Sequence, residues 1–305
     1  MRPRIVGYAR DVDLVFIYVP PEMGFTGLNS PRGVVLGEPF RILTATAPVS
    51  ASPRTGRVRP LMAGVSLGNA RVTAGTLGLF GRYNGEVVLV SNAHVLTDKP
   101  ESPSPPSNPD ILQPGPIDGG EEPRDVVAKY HSHIQVKVVR ESDCLLAGLI
   151  VKSLNWISGL LGRQTRFLAV TEPRNKVDVA LATLNKEVGY LPAVMGDDGR
   201  PLQVSGRLAG ILFAGSGDYY IVAKATNILS YYPGLELIGA SPSSLRVGDR
   251  VVKCGRTTGC TEGEVVSANA VVEVRYDSGV AVFEDVAVVK GRSAGGDSGS
   301  AVWLL

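Results

Sequence analysis

Three short segments of this chain carry side chains that could act together on a carbonyl group. Ser298 lies in Gly295-Gly296-Asp297-Ser298-Gly299-Ser300, His94 in Ser91-Asn92-Ala93-His94-Val95-Leu96, and Asp178 in Asn175-Lys176-Val177-Asp178-Val179-Ala180-Leu181. A serine hydroxyl is a weak nucleophile until an imidazole takes its proton, and the imidazole needs a carboxylate to hold its tautomer. Glycines around Ser298 let the backbone N–H groups of Gly296 and Ser298 converge on a developing oxyanion. Such a donor is worth about 3 kcal/mol of transition-state stabilisation. Each segment alone is an ordinary turn or strand end. In the order His, Asp, Ser, each beside an apolar strand, they point to peptide-bond hydrolysis through an acyl intermediate.

Short strands must position these groups. With 36 glycines and 21 prolines in 305 residues, the chain has the punctuation of an all-β protein. Asn84-Gly85 between apolar runs predicts a hairpin. Further strands are expected over 177–184, 208–215, 219–225, 250–254, 263–268, 271–276, 280–289 and 300–304. The stretch 99–123 is rich in proline and reads as a surface loop. One helix is expected, over about 143–163, with Asp143 as its cap and its apolar stripe packed on a barrel. Residues 1–50 read as a small extension, followed by a Ser/Pro/Arg-rich linker.

Other classes fit less well. Thirty-one basic and 29 acidic residues leave a net charge of +2 with no basic run, so nucleic acid is not an expected partner. Lys152, Asn155 and Arg163 interrupt the apolar helix and argue against stable membrane insertion. The N-terminus has no secretory h-region, and only Cys144, Cys254 and Cys260 occur. Free thiols at Cys254 and Cys260 and a cytoplasmic location are the expectation, although the two cysteines straddle a turn. His131 and His133 share a strand face without a Cys, Asp or Glu cluster, so no metal and no cofactor are expected.

The motifs resemble those of the trypsin-like (chymotrypsin-fold) serine proteases, most nearly an intracellular bacterial and archaeal branch. The resemblance runs from about Arg59 and rests on Val72-Thr-Ala-Gly-Thr-Leu-Gly, the His94 and Asp178 segments, and Ile111-Leu-Gln-Pro-Gly-Pro-Ile-Asp-Gly-Gly. Lys253-Cys-Gly-Arg-Thr-Thr-Gly-Cys-Thr-Glu-Gly and Ser293-Ala-Gly-Gly-Asp-Ser-Gly-Ser complete it. It implies His94 as general base, Asp178 as its orienting partner and Ser298 as nucleophile, in the cleft between two six-stranded antiparallel barrels. The expected divisions are an extension over 1–58, a first barrel over 59–190 and a second over 191–305. Arg4-Ile5-Val6-Gly7 also resembles the activation site of secreted trypsins, whose freed amine pairs with the Asp before the nucleophile.

Chain order departs from the family. The strand that walls the specificity pocket should follow the nucleophile, yet only Gly299 to Leu305 do. Text of that kind stands at 196–231 instead, which suggests a circularly permuted second barrel with Gly196-Asp-Asp-Gly-Arg as the rejoined hairpin turn. Phe213, Ala214 and Gly215 would then offer a substrate-pairing edge, and Arg292 would occupy a specificity position. The expected partner is a protein or peptide substrate. A protease acting only on its own chain, and a catalytically idle peptide-binding module, are the alternatives.

Overall fold

The computed structural model describes residues 4–8, 53–141, 145–160 and 166–305, which divide into two units. In the smaller unit, Arg4–Tyr8 pairs antiparallel with Arg166–Thr171, which also pairs with Arg140–Glu141. The helix Leu145–Leu160 belongs to the same unit. Its expected cap, Asp143, lies outside the described residues. Leu149, Ile150 and Leu160 of its apolar stripe are exposed, as is Trp156. No described helix is long and apolar enough to cross a membrane. Ile5, in the activation-like tetrapeptide, is a strand residue opposite Ala169.

The larger unit is all-β, with two curled sheets. The first runs in the order Glu236–Leu237, Leu79–Tyr83, Glu86–Ser91, Ala180–Leu184, Val126–His133, Asp110–Leu112, Ser66–Asn69, Gly75–Thr76. The two-residue turn at Asn84 (φ 51°) and Gly85 (φ 82°) joins Tyr83 to Glu86, as the dipeptide predicts. Backbone bonds from Leu77 N–H to Val65 O (2.9 Å) and Gly64 N–H to Leu77 O (2.7 Å) extend the pairing of the last two strands, and Gly78 N–H to Val90 O (3.0 Å) brings that edge of the curled sheet back to Glu86–Ser91. Leu67, Phe80, Leu89, Leu96, Ile111 and Val127 fill its interior.

The proline-rich stretch is not wholly a loop. Asp110–Leu112 is a strand within it, pairing with both Gly68–Asn69 and the strand Val126–His133. Its Ile111 and Leu112 side chains are buried. Two apolar side chains offer about 3–6 kcal/mol on burial, enough to bring a three-residue run into the sheet despite its prolines.

In the second sheet, Gly259–Tyr276 and Gly279–Ser293 form a long hairpin, followed by Arg250–Gly255, Ala301–Leu304 and Arg207–Lys224. The last of these doubles back on itself, with Gly210 against Ala223 and Gly215 against Tyr220, so that its two arms lie side by side. Leu208–Ile211 pairs with Ala301–Trp303, and Tyr219–Val222 pairs with Ala287–Lys290, which closes the ring. Gly210 is required where the arms meet, because a Cβ there would stand 2.0 Å from Ala223 O. Tyr220, Val251, Val265, Val289 and Val302 are packed inside. The Gly196–Arg200 turn joins Tyr190–Met195 to Pro201–Leu202 in a separate small sheet with Leu61–Ala63, so it is not the turn that precedes the Leu208 strand.

Arg54 lies ahead of the expected barrel boundary at residue 59, yet it is fully buried in the larger unit. Its guanidinium donates to Gly64 O and to Asp197 Oδ1, both at 3.0 Å. Arg54→Ala should lower stability by about 2–4 kcal/mol in chemical denaturation, since it orphans a buried carbonyl and leaves a cavity.

Candidate active site

His94 stands on the one-turn helix Ala93–Leu96, directly after the strand Glu86–Ser91. Ala93, Val95 and Leu96 are buried and anchor the turn, leaving the His94 side chain 29% exposed. Asp178 is wholly buried. Its Oδ1 accepts the Ala93 N–H at 2.7 Å, and its Oδ2 faces His94 Nδ1 at 2.6 Å. The Tyr276 hydroxyl donates to the same Oδ2 at 2.7 Å. Burial pushes the Asp178 carboxyl up, but the charge and hydrogen bond of His94, with the hydrogen bonds from Tyr276 and the Ala93 N–H, outweigh it and hold the group below its usual range. An ionised carboxylate can only accept, so His94 carries its proton on Nδ1 and keeps the Nε2 lone pair free for a substrate or nucleophile proton.

The Ser298 loop is shaped by two left-handed glycines, Gly296 (φ 94°) and Gly299 (φ 97°). A Cβ on Gly299 would lie 2.1 Å from Thr76 O and 2.2 Å from Ser91 Oγ. The Ser298 carbonyl accepts Thr76 N–H at 2.7 Å, and Gly299 N–H donates to Leu212 O at 2.8 Å. Among the described residues, neither Gly296 N–H nor Ser298 N–H is taken up by an acceptor. A Cβ on Gly75 would touch both the Val95 side chain and Ser298 O, so the turn of His94 and the loop of Ser298 are neighbours. No hydrogen bond joins His94 to Ser298 among the described residues; Ser298 Oγ is 3.5 Å from Phe213 O. Such contacts are commonly long before a substrate binds.

Asp297 is buried beside Ser298 and accepts five hydrogen bonds. Lys253 Nζ (2.9 Å), Thr258 Oγ1 (2.6 Å) and the N–H groups of Thr257, Thr258 and Ala294 (3.0–3.1 Å) surround it. The partner of Asp297 is therefore an internal lysine, where the activation-like tetrapeptide suggested a freed amine. A lysine inside Val251-Val252-Lys253-Cys254 breaks the apolar run of a buried strand, and that misfit was the available signal. Burial lowers the Lys253 pKa against the pull of Asp297.

The two cysteines of the adjoining hairpin are not free thiols. Cys254 and Cys260 sit directly opposite each other across the strand pair and form a disulfide. The thiol argument for a reducing compartment therefore falls away. Arg256 grips Asp118 through Nε and Nη2, both at 2.5 Å, tying the hairpin to the first sheet. Its N–H donates to Thr76 Oγ1, which in turn donates to Gly296 O at 2.8 Å.

The remaining expected residues divide. Phe213 is buried, Ala214 and Gly215 are half-buried, and 213–216 is strand that lies against the 219–223 arm of the same stretch, beyond the end of its pairing with Ala301–Trp303. Arg292 is exposed on its strand, whereas Ser293 beside it is buried. The unpartnered Ser293 Oγ would lie 2.9 Å from a Cβ on Gly215. His131 Nδ1 contacts Ser132 Oγ, while His133 donates to Ser102 O and accepts from Tyr130 OH.

The fold of the larger unit is all-β. No protein-family model matches the chain, and no curated protein does. Among solved structures, Thermobifida fusca protease A is similar at 12% identity over 79% of this chain and 76% of that one, with a TM-score of 0.40. A glutamic acid specific serine protease is similar at 14% identity, covering 80% and 92%, TM-score 0.40. A Cellulomonas bogoriensis chymotrypsin is similar at 14% identity, covering 79% and 75%, TM-score 0.38.

Lys253→Met leaves the Asp297 carboxylate buried without its cation and should cost about 3–5 kcal/mol in chemical denaturation at neutral pH. The pH dependence has a definite sign at Asp178. Its folded pKa is depressed, so its contribution is complete above the unfolded value of about 4 and is lost as pH falls through the lower folded one. Asp178→Asn should flatten that part of the acid unfolding curve.

Proposed function

We propose that the protein is a serine endopeptidase with His94, Asp178 and Ser298 as its triad. The observation that carries this reading is the buried, ionised Asp178 bonded to His94 Nδ1, beside a serine loop whose Gly296 and Ser298 N–H groups are unengaged. His94 Nε2 takes the Ser298 proton as Oγ attacks the scissile carbonyl, and the two N–H groups receive the oxyanion. The proton passes to the leaving amine; water then enters by the same route and releases the acyl group. A peptide lies along 213–215, on the edge that continues past the end of the Ala301–Trp303 pairing. The Lys253–Asp297 pair makes the loop independent of a freed N-terminal amine, so cleavage before Ile5 is not needed.

Within this reading the second barrel is circularly permuted. The strand paired with Ala301–Trp303 is Leu208–Ile211, which precedes the nucleophile in the chain. Arg207 Nη2 donates to Leu305 O at 2.6 Å, and Ser205 Oγ donates to Leu304 O. The rejoined edge therefore lies near Arg207 and not at Gly196.

A fluorophosphonate should label Ser298 in the intact chain, and Ser298→Ala should abolish labelling. Asp178→Asn should slow it by about 10⁴-fold. A folded chain that does not label supports the idle peptide-binding alternative, and labelling with cleavage of its own chain alone supports self-processing. Moving residues 206–231 behind Leu305 through a short linker tests the permutation. A folded product that still labels is expected, and failure to fold counts against it.

A further inference from the structure

We infer that Tyr276 is a positioning residue for the His94–Asp178 pair, carried to it by the tip of the long second-barrel hairpin. The inference rests on the protease reading above and adds a residue that the three motifs do not contain.

Tyr276 ends the strand Gly259–Tyr276 and pairs with Gly279 across the two-residue turn Asp277-Ser278. The returning strand is fixed close to Asp178. Arg174 and Asn175 pair in parallel with Val282 and Phe283, and Asn175 Nδ2 donates to Val282 O at 3.0 Å. Asn175 also bonds the Lys137 N–H and carbonyl, so the hairpin and the approach to Asp178 share one frame. The Tyr276 ring is held by aromatic neighbours. It stacks on Phe283 (6.3 Å between centroids), which packs on Phe213 (4.5 Å), and it meets His94 edge-on (6.2 Å).

This framework aims the hydroxyl at Oδ2, the oxygen that also faces His94. Oδ2 thus serves two donors, while Oδ1 is held by the Ala93 N–H. The carboxylate cannot rotate without losing all three bonds. Tyr276 also withdraws electron density from the atom that faces the imidazole, which weakens the pull of Asp178 on a protonated His94. The hydroxyl therefore sets both the orientation of the base and the pH at which it becomes available. The titratable groups around this contact are His94, Asp178 and Tyr276; Glu101 acts on Tyr276, and the Asp178 charge acts on His133.

Tyr276→Phe keeps the ring and removes only the donor. In the full-length chain, the pH at half-maximal fluorophosphonate labelling should rise by about 0.5–1 unit, and the plateau rate should fall about 3- to 10-fold. 3-Fluorotyrosine at 276, a stronger donor, should move the midpoint the opposite way. A ring with a merely structural role would lower the rate without moving the midpoint. The low-field proton resonance of His94 Nδ1 reads the same contact without turnover and should shift in both variants. If wild-type protein does not label but this resonance shifts, the protease reading fails and the contact stands. An unmoved midpoint and resonance in folded variants overturn the role of Tyr276.

Discussion

The Ser298 loop depends on one buried ion pair. Taking Asp297 out of water costs several kcal/mol, and that cost is offset only if its lone pairs are filled and a cation is near. Lys253 supplies the cation from the adjacent strand, and Thr257, Thr258 and Ala294 supply the remaining donors. Four of the five bonds come from residues 253–258, so the loop and that hairpin must form together. A carboxylate bound in this way fixes the backbone on either side of itself. Ser298, the next residue, inherits that placement, and Gly296 and Gly299 take the left-handed turns that it imposes.

The same hairpin ties the two sheets together. Arg256 holds Asp118 with two parallel bonds, a geometry that a lysine could not reproduce. Thr76 connects the Arg256 N–H to the Gly296 carbonyl, so a first-sheet hydroxyl restrains a second-sheet loop. The Cys254–Cys260 disulfide clamps the hairpin beside its turn. His94 and Asp178 are thereby brought to the loop by contacts made mainly among other residues.

Much of this was legible in the sequence because the chemistry is locally encoded. A left-handed turn demands glycine, so the residues around Ser298 and the Asn84-Gly85 hairpin are visible in any reading. His94 and Asp178 are visible because each lies at the end of an apolar run. What was not legible depends on register between distant strands. Tyr276 reaches Asp178 only because Val282 and Phe283 align with Arg174 and Asn175, and one residue of slip would turn its ring to the opposite face. The cysteines are bonded because strand pairing sets them opposite each other, which spacing alone left open. Asp110–Leu112 was hidden by its prolines, since its burial depends on partners at Gly68 and Lys129. Arg292 and Ser293 are adjacent in sequence, and only the alternation of their strand decides which one faces inward.

The bent stretch Arg207–Lys224 has a consequence of its own. Its first arm pairs with Ala301–Trp303 only as far as Ile211, so 213–215 runs on beside Ser298 with one edge past the end of that ladder. A ladder along that segment can be completed only by backbone already drawn straight, at about 3.3 Å per residue. A helix satisfies its own N–H and C=O groups and has none to offer; a strand within a folded sheet has already spent its own. On the proposed protease reading, that edge sorts polypeptides by conformation before any side chain is read, favouring slack loops, termini and unfolded chains over well-folded neighbours.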